Sequence, residues 1–333
     1  MGLDRSPSVP SASTGLTIGL RGRPGLTGLP GLPSPSGALS WVRTRLATEV
    51  STLLIGDNPP ASVRRSVPFD EDPGYFGPDS VTWLVHSDSC TLIGGLRALM
   101  LQTMHPLAMA GVAQHSNFRS DPLGRLANTS VYVGTTIYGT KPDVERAIRI
   151  VKRVHEDVVG VADDGRPYAA NDPHLLTFVH HTLVDSFLRA NQRYGAQRLT
   201  PVQADRYVEE QAVLAELFGG EPAARSVAEL KQWFCDLRPE LRATGDARNT
   251  IRFLLNPPLP YVARPAYAVV ASAAVTMLPT WIRRQLWLPV PPVVEPVVVR
   301  PTTTALVRMV DWVMGGYPRE DELEPGRDPE RAA

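Results

Sequence analysis

Four proline steps punctuate the chain, at Asp121-Pro122, Lys141-Pro142, Asp172-Pro173 and Thr200-Pro201. Proline has no N–H and clashes inside a helix, but the first helical turn tolerates it. An Asp or Thr just before it accepts a hydrogen bond from an otherwise orphaned N–H, and three of the four steps carry one. From about Ser80 onward the apolar residues recur with helical spacing. The pattern predicts helices over 80–86, 89–104, 106–115, 122–134, 142–159, 172–194, 201–218, 226–239, 247–255, 263–278, 279–287 and 302–315. Neither an internal repeat nor a regular strand alternation interrupts it. The expected fold class is all-α, a single multi-helix domain over 38–318.

The flanks read differently. Residues 1–37 are rich in Gly, Pro and Ser, a composition that cannot offset chain entropy by burial, and 319–333 are polar and charged; both are expected to be disordered tails. A helical segment is expected from Ser40 to Leu54, and an ordered aromatic loop from Val67 to Pro78. Residues Leu288 to Pro301, interrupted by prolines, are expected to be extended and to run over the surface.

Bulk composition narrows the partners. Lys+Arg and Asp+Glu number 34 each, so no net field draws the chain to nucleic acid or to an anionic membrane. The longest strongly apolar run, Tyr267 to Leu278, falls well short of the roughly 20 residues a spanning helix needs. It reads as a core helix, with peripheral membrane contact as the alternative. The N-terminus lacks the charged and apolar regions of a signal peptide and matches a myristoylation pattern only loosely. Two cysteines, Cys90 and Cys235, cannot build a disulfide framework and read as reduced thiols. The expected compartment is the cytoplasm.

Chemistry-bearing residues crowd between Gly94 and His155, where three of the seven histidines lie. On the predicted helix 142–159, Val144, Ile148, Val151, His155 and Val158 follow steps of 4, 3, 4 and 3, which puts an imidazole on an apolar face. Such a histidine is either a core residue bonded to a carbonyl or a ligand for a metal or haem iron. On helix 172–194, Leu176, His180, Leu183, Val184 and Phe187 share a side, so His180 points inward as a pocket wall, a second ligand or plain core. His181 falls on the opposite side, with His174, Thr177 and Asp185, and is expected in solvent. Arg125 and Thr129, four apart, share a face. The guanidinium could neutralise a carboxylate or simply form a surface ion pair. His105, before Pro106, and His115, at the next helix end, border the same stretch of small residues.

Several chemistries are excluded. The chain has no Gly-x-Gly-x-x-Gly, phosphate loop, Gly-x-Ser-x-Gly or His-Glu-x-x-His. No Glu-x-x-His occurs, which argues against a di-iron carboxylate bundle. Histidines without accompanying carboxylates suit haem better, since the porphyrin itself supplies four ligands.

The run GGLRALMLQTMHPLAMAGVAQHSNFRSDPLGRLANTS, followed by Val154-His155, NDPHLLTFVH and LVDSFL, resembles the MpaB-type/rubber oxygenase catalytic domain, a family that includes latex clearing proteins. The resemblance covers about residues 65–315. It implies a globin-like helical core that binds haem b and activates dioxygen. It further implies that His155 is the proximal iron ligand and that Arg125 and Thr129 are the Arg-x-x-x-Thr pair beside the haem, with Arg125 anchoring a propionate and Thr129 lining the pocket. Asn128 stands where the rubber-cleaving members carry a distal lysine, so distal capping and polyisoprene as substrate do not carry over. Phe178 replaces an aromatic that is often tryptophan. The expected function is a haem b-dependent oxygenase that oxidises or cleaves an apolar, unsaturated substrate. Thr129, His105 and His115 are its candidate catalytic residues, and Arg125, Thr129, His155 and His180 bind the cofactor. The alternatives are a non-catalytic carrier of haem or a lipid-like ligand, and a structural helical domain.

Overall fold

The computed structural model describes residues 71–116, 120 and 122–314. The expectations for 1–37, for the helix at 40–54 and for 319–333 lie outside these residues. Among them the chain forms twelve α-helices and one short hairpin: α1 (Val81–His86), α2 (Thr91–Gln102), α3 (Pro106–His115), α4 (Pro122–Tyr138), α5 (Lys141–Glu156), β1 (Val159–Val161), β2 (Pro167–Ala169), α6 (Pro173–Tyr194), α7 (Pro201–Phe218), α8 (Val227–Leu237), α9 (Gly245–Leu255), α10 (Arg264–Thr276), α11 (Thr280–Gln285) and α12 (Arg300–Met314). The fold is all-α, as the periodicity predicts.

The caps expected at Asp172 and Thr200 form, while Asp121 lies outside the described residues. Asp172 accepts from the His174 N–H at the start of α6, and Thr200 and Gln203 form a reciprocal capping box at the start of α7. Before Lys141-Pro142 the cap is Thr140, whose hydroxyl accepts from the Asp143 N–H. The aromatic loop is ordered over its described part. Phe76 is buried there, and Asp72 accepts from the backbone N–H groups of Gly74 and Lys141.

Two segments differ from expectation. The helix expected to reach residue 159 ends at Glu156, and Val159–Val161 pairs antiparallel with Pro167–Ala169. Strands of three residues are too short to show alternation, while the turn between them carries Gly165 at φ 83°, a left-handed position suited to glycine. The stretch expected to be extended, Leu288–Pro301, instead contains a π-helical turn, Glu295–Val299, that runs directly into α12. Pro301 has no N–H to offer the carbonyl four residues back, and the wider π register before it removes the need for that bond.

The largest core cluster joins Ile93, Leu96 and Met100 of α2 to Ala273 and Ala274 of α10, Ile251 of α9 and Val307 of α12. A second joins α1, α6 and α7 through Val85, Phe187 and Tyr207. A third joins Trp83, Ile137, Val144, Ile148 and Leu214, from α1, α4, α5 and α7. The apolar run 267–278 is thus a core helix, α10.

Helices α2 and α6 share the most extensive packing, and Gly94 shows how close they come. A Cβ there would stand 2.7 Å from Phe187 Cδ1 and 3.1 Å from both Phe187 Cα and Ser186 O. A Cβ on the neighbouring Gly95 would meet Phe187 at an ordinary 4.0 Å. Gly94→Ala is therefore expected to destabilise by about 1–3 kcal/mol through overpacking. Gly95→Ala is expected to be neutral, or to gain up to about 1 kcal/mol of helix propensity. Urea denaturation of the two variants checks this, and equal effects would contradict it.

Candidate functional site

The structure puts the residues expected around an iron on three helices. His155 occupies the last turn of α5, which packs beside α4. Along its stripe Val144 and Ile148 are buried, whereas Val151 and His155 are half-buried. The imidazole thus stands at the rim of the packed core, with its Nδ1 shielded from solvent. On α4, Thr129 and Asn128 are exposed. The Arg125 side chain lies outside the described part of the structure.

His180 on α6 is half-buried, yet lost hydration pushes its pKa down to about 3, with His181 adding to the shift and the Gln211 backbone opposing it. The expectation that His181 faces solvent is wrong. Only 1% of it is exposed, its Nε2 accepts from the Ala224 N–H at 3.1 Å, and its ring meets Trp233 edge-on at 4.4 Å. A helical wheel assumes one wet face, and α6 runs through the middle of the domain with none over much of its length. Thr177, Thr182 and Ser186 are fully buried on it as well.

His105, the N-cap of α3, and His115, its last residue, stand at opposite ends of the helix, about 15 Å apart at 1.5 Å per residue, and meet different neighbours. His115 is exposed and lies edge-on to Tyr168 of β2 at 6.2 Å. His105 is 1% exposed and packs on Phe178 of α6 at 5.1 Å.

Around His105 the structure assembles a group that the sequence conceals. His105 Nε2 lies 3.5 Å from Glu240 Oε2, and His174 Nε2 lies 3.3 Å from the same oxygen. His174 Nδ1 bonds Glu221 Oε2 at 3.1 Å. Three elements contribute: the start of α3, the first turn of α6, and the 3-10 turn Arg238–Glu240 that follows α8. Burial holds the His105 pKa below the ordinary value despite the opposing pull of Glu240. Burial also opposes protonation of His174, but the carboxylates of Glu221 and Glu240 outweigh it and raise its pKa. No local spacing relates His174 to Glu240, so only the tertiary fold reveals the group.

Across these helices, residues 83–312 match the family described as ER-bound oxygenase mpaB/B'/Rubber oxygenase, catalytic domain. The chain belongs to this family. The match spans more than half of the sequence and contains every candidate residue above. The protein is accordingly an oxidoreductase of the oxygenase class, with dioxygen and an oxidisable substrate as reactants. Neither the curated proteins nor the solved structures provide a match to this chain. Among the described residues no helix is long and apolar enough to cross a membrane.

Proposed function

We propose that this oxygenase domain binds haem b through His155 in a globin-like core and oxidises or cleaves an apolar, unsaturated substrate. The observation that carries the reading is the position of His155: an imidazole at the rim of an apolar stripe, with one nitrogen shielded, on a helix packed beside the α4 segment that holds Arg125 and Thr129.

The surroundings fit a flat, largely apolar group. His180 is half-buried and strongly desolvated. Tyr132 of α4 is half-buried, its pKa raised by desolvation, and it meets Phe218 of α7 edge-on at 5.9 Å. A Cβ added to Gly134 of α4 would touch nothing within 4 Å, so free space adjoins that helix.

When bound, haem b supplies an iron that takes up and activates dioxygen. The chain supplies the rest. His155 would offer a ring nitrogen as ligand. Arg125 would pair with a propionate through its planar fork. Thr129 and His115 have the exposure that a residue meeting substrate needs, whereas His105 is buried. His180, held neutral by desolvation, forms a wall that is polar yet uncharged. Cys90 is buried and Cys235 exposed, both free, which supports the reducing, cytoplasmic compartment expected from the sequence.

The test is a haemin titration of the purified protein. A Soret band is expected at one haem per chain, and His155→Ala is expected to abolish it while circular dichroism shows the fold intact. Retention of the band by a folded variant would sink the assignment. Oxygen uptake with unsaturated hydrocarbons then distinguishes an enzyme from a carrier.

A further inference from the structure

We propose that His105, His174 and Glu240 form a second metal site, built for a divalent transition ion of the zinc type and separate from the iron position at His155. The three donor atoms lie within 4.8 Å of one another. Donors at about 2.0–2.2 Å from a tetrahedral ion are themselves about 3.3 Å apart. The two nitrogen-to-oxygen separations here, 3.5 Å and 3.3 Å, are already those edges.

The second observation is the state of the imidazoles. His105 is 1% exposed, and neither of its ring nitrogens makes a hydrogen bond; His174 Nε2 makes none either. Both Nε2 atoms approach Glu240 closely without hydrogen-bond alignment. Buried polar atoms in proteins almost always find a partner, and an ion held between them and the carboxylate would satisfy both. Glu221 completes the pattern. By accepting from His174 Nδ1 it fixes the tautomer that leaves Nε2 with its lone pair, as carboxylates commonly do behind a metal-bound histidine.

Donor type selects the ion. Two imidazoles and one carboxylate suit zinc and its neighbours, while magnesium and calcium prefer oxygen alone. Charge agrees, because two carboxylates, Glu240 and Glu221, border the imidazoles, while the Arg166 guanidinium that acts against a positive charge at His105 is paired with Asp164 at 2.9 Å. The Glu240 side chain is 42% exposed and gives the ion a route in from solvent. Once bound, the ion would clip together the start of α3, the start of α6 and the turn after α8. These segments are otherwise joined by bonds such as that from the Arg242 N–H to the Met104 carbonyl.

The experiment is a titration of the full chain with zinc chloride against a chromophoric chelator, with magnesium chloride as control, alongside thermal melts. Expected are one zinc ion per chain, a rise in melting temperature, and no response to magnesium. His174→Gln should lower the affinity more than 100-fold, and Glu221→Gln about 10- to 100-fold, the usual loss when a supporting carboxylate is removed. His155→Ala should bind zinc as the parent does. His174 is only partly buried, so its variant is expected to fold even if His105→Gln does not. Absence of saturable zinc binding, or undiminished binding by a folded His174→Gln, would overturn the site. Equal loss in His155→Ala would show that the ion sits at the iron position instead.

Discussion

Replacing Asp185 with alanine is expected to cost about 3–5 kcal/mol, the range for stripping a buried charge of its partner. Arg97 of α2 is 1% exposed. Its guanidinium reaches Asp185 Oδ2 at 2.9 Å and donates to Ser186 Oγ at 2.7 Å and to the Met277 carbonyl, at the end of α10, at 3.1 Å. Burial lowers the Arg97 pKa and Asp185 counters it, so the carboxylate is what keeps the interior charge tolerable. At roughly 2–4 °C of melting temperature per kcal/mol for a domain of this size, the loss is about 6–20 °C. Arg97→Met should be milder, because Asp185 keeps Arg189 at 2.8 Å and is itself less buried. The double variant Arg97→Met/Asp185→Leu should recover much of what Asp185→Ala loses, since no unpaired charge remains. Urea denaturation of Arg97→Met, Asp185→Leu and the double variant measures the coupling; strict additivity would contradict the account.

Acid is expected to remove a comparable amount of stability through His86. Its Nε2 lies 3.2 Å from the Tyr207 hydroxyl, and its ring sits edge-on to Phe187 at 4.7 Å. Desolvation pushes its pKa from 6.5 down to about 3. The native state therefore holds fewer protons than the unfolded state between those values, and stability falls as pH drops through that window. It is fully present above pH 6.5. Each pH unit inside the window costs about 1.4 kcal/mol per such histidine. His180 and His181, lowered to about 3 and about 4, act in the same direction. His86→Phe should flatten the dependence of unfolding free energy on pH between 6 and 4 by one proton's worth, about 1.4 kcal/mol per pH unit. An unchanged slope would mean that His86 is not held neutral by the fold.

Much of this structure was legible in local chemistry. Proline with a preceding Asp or Thr marked the starts of α4, α6 and α7, because capping depends on residues within one turn. The stripe on α5 placed Val144 and Ile148 in the core for the same reason. What escaped was decided at longer range. The β1–β2 hairpin is too short to leave an alternation, and the π turn before α12 is a response to Pro301 in context. His181 was misplaced because amphipathic reasoning assumes that a helix borders water, and α6 is enclosed at that position. The group at His105, His174 and Glu240 joins residues far apart in the chain, each unremarkable among its neighbours. The proposed iron ligand, His155, rests on motif likeness, since a histidine on an apolar stripe is equally at home in a core.

The crossing at Gly94 has a consequence for where small molecules can go. A planar ring needs two layers of van der Waals contact, about 3.5–4 Å each, between the surfaces that sandwich it. At Gly94 the seam between α2 and α6 lacks room for even one added methyl group. A flat molecule can therefore enter between α2 and α6 at this crossing only by prising the two helices apart, so the seam acts as a wall and not as a binding cleft.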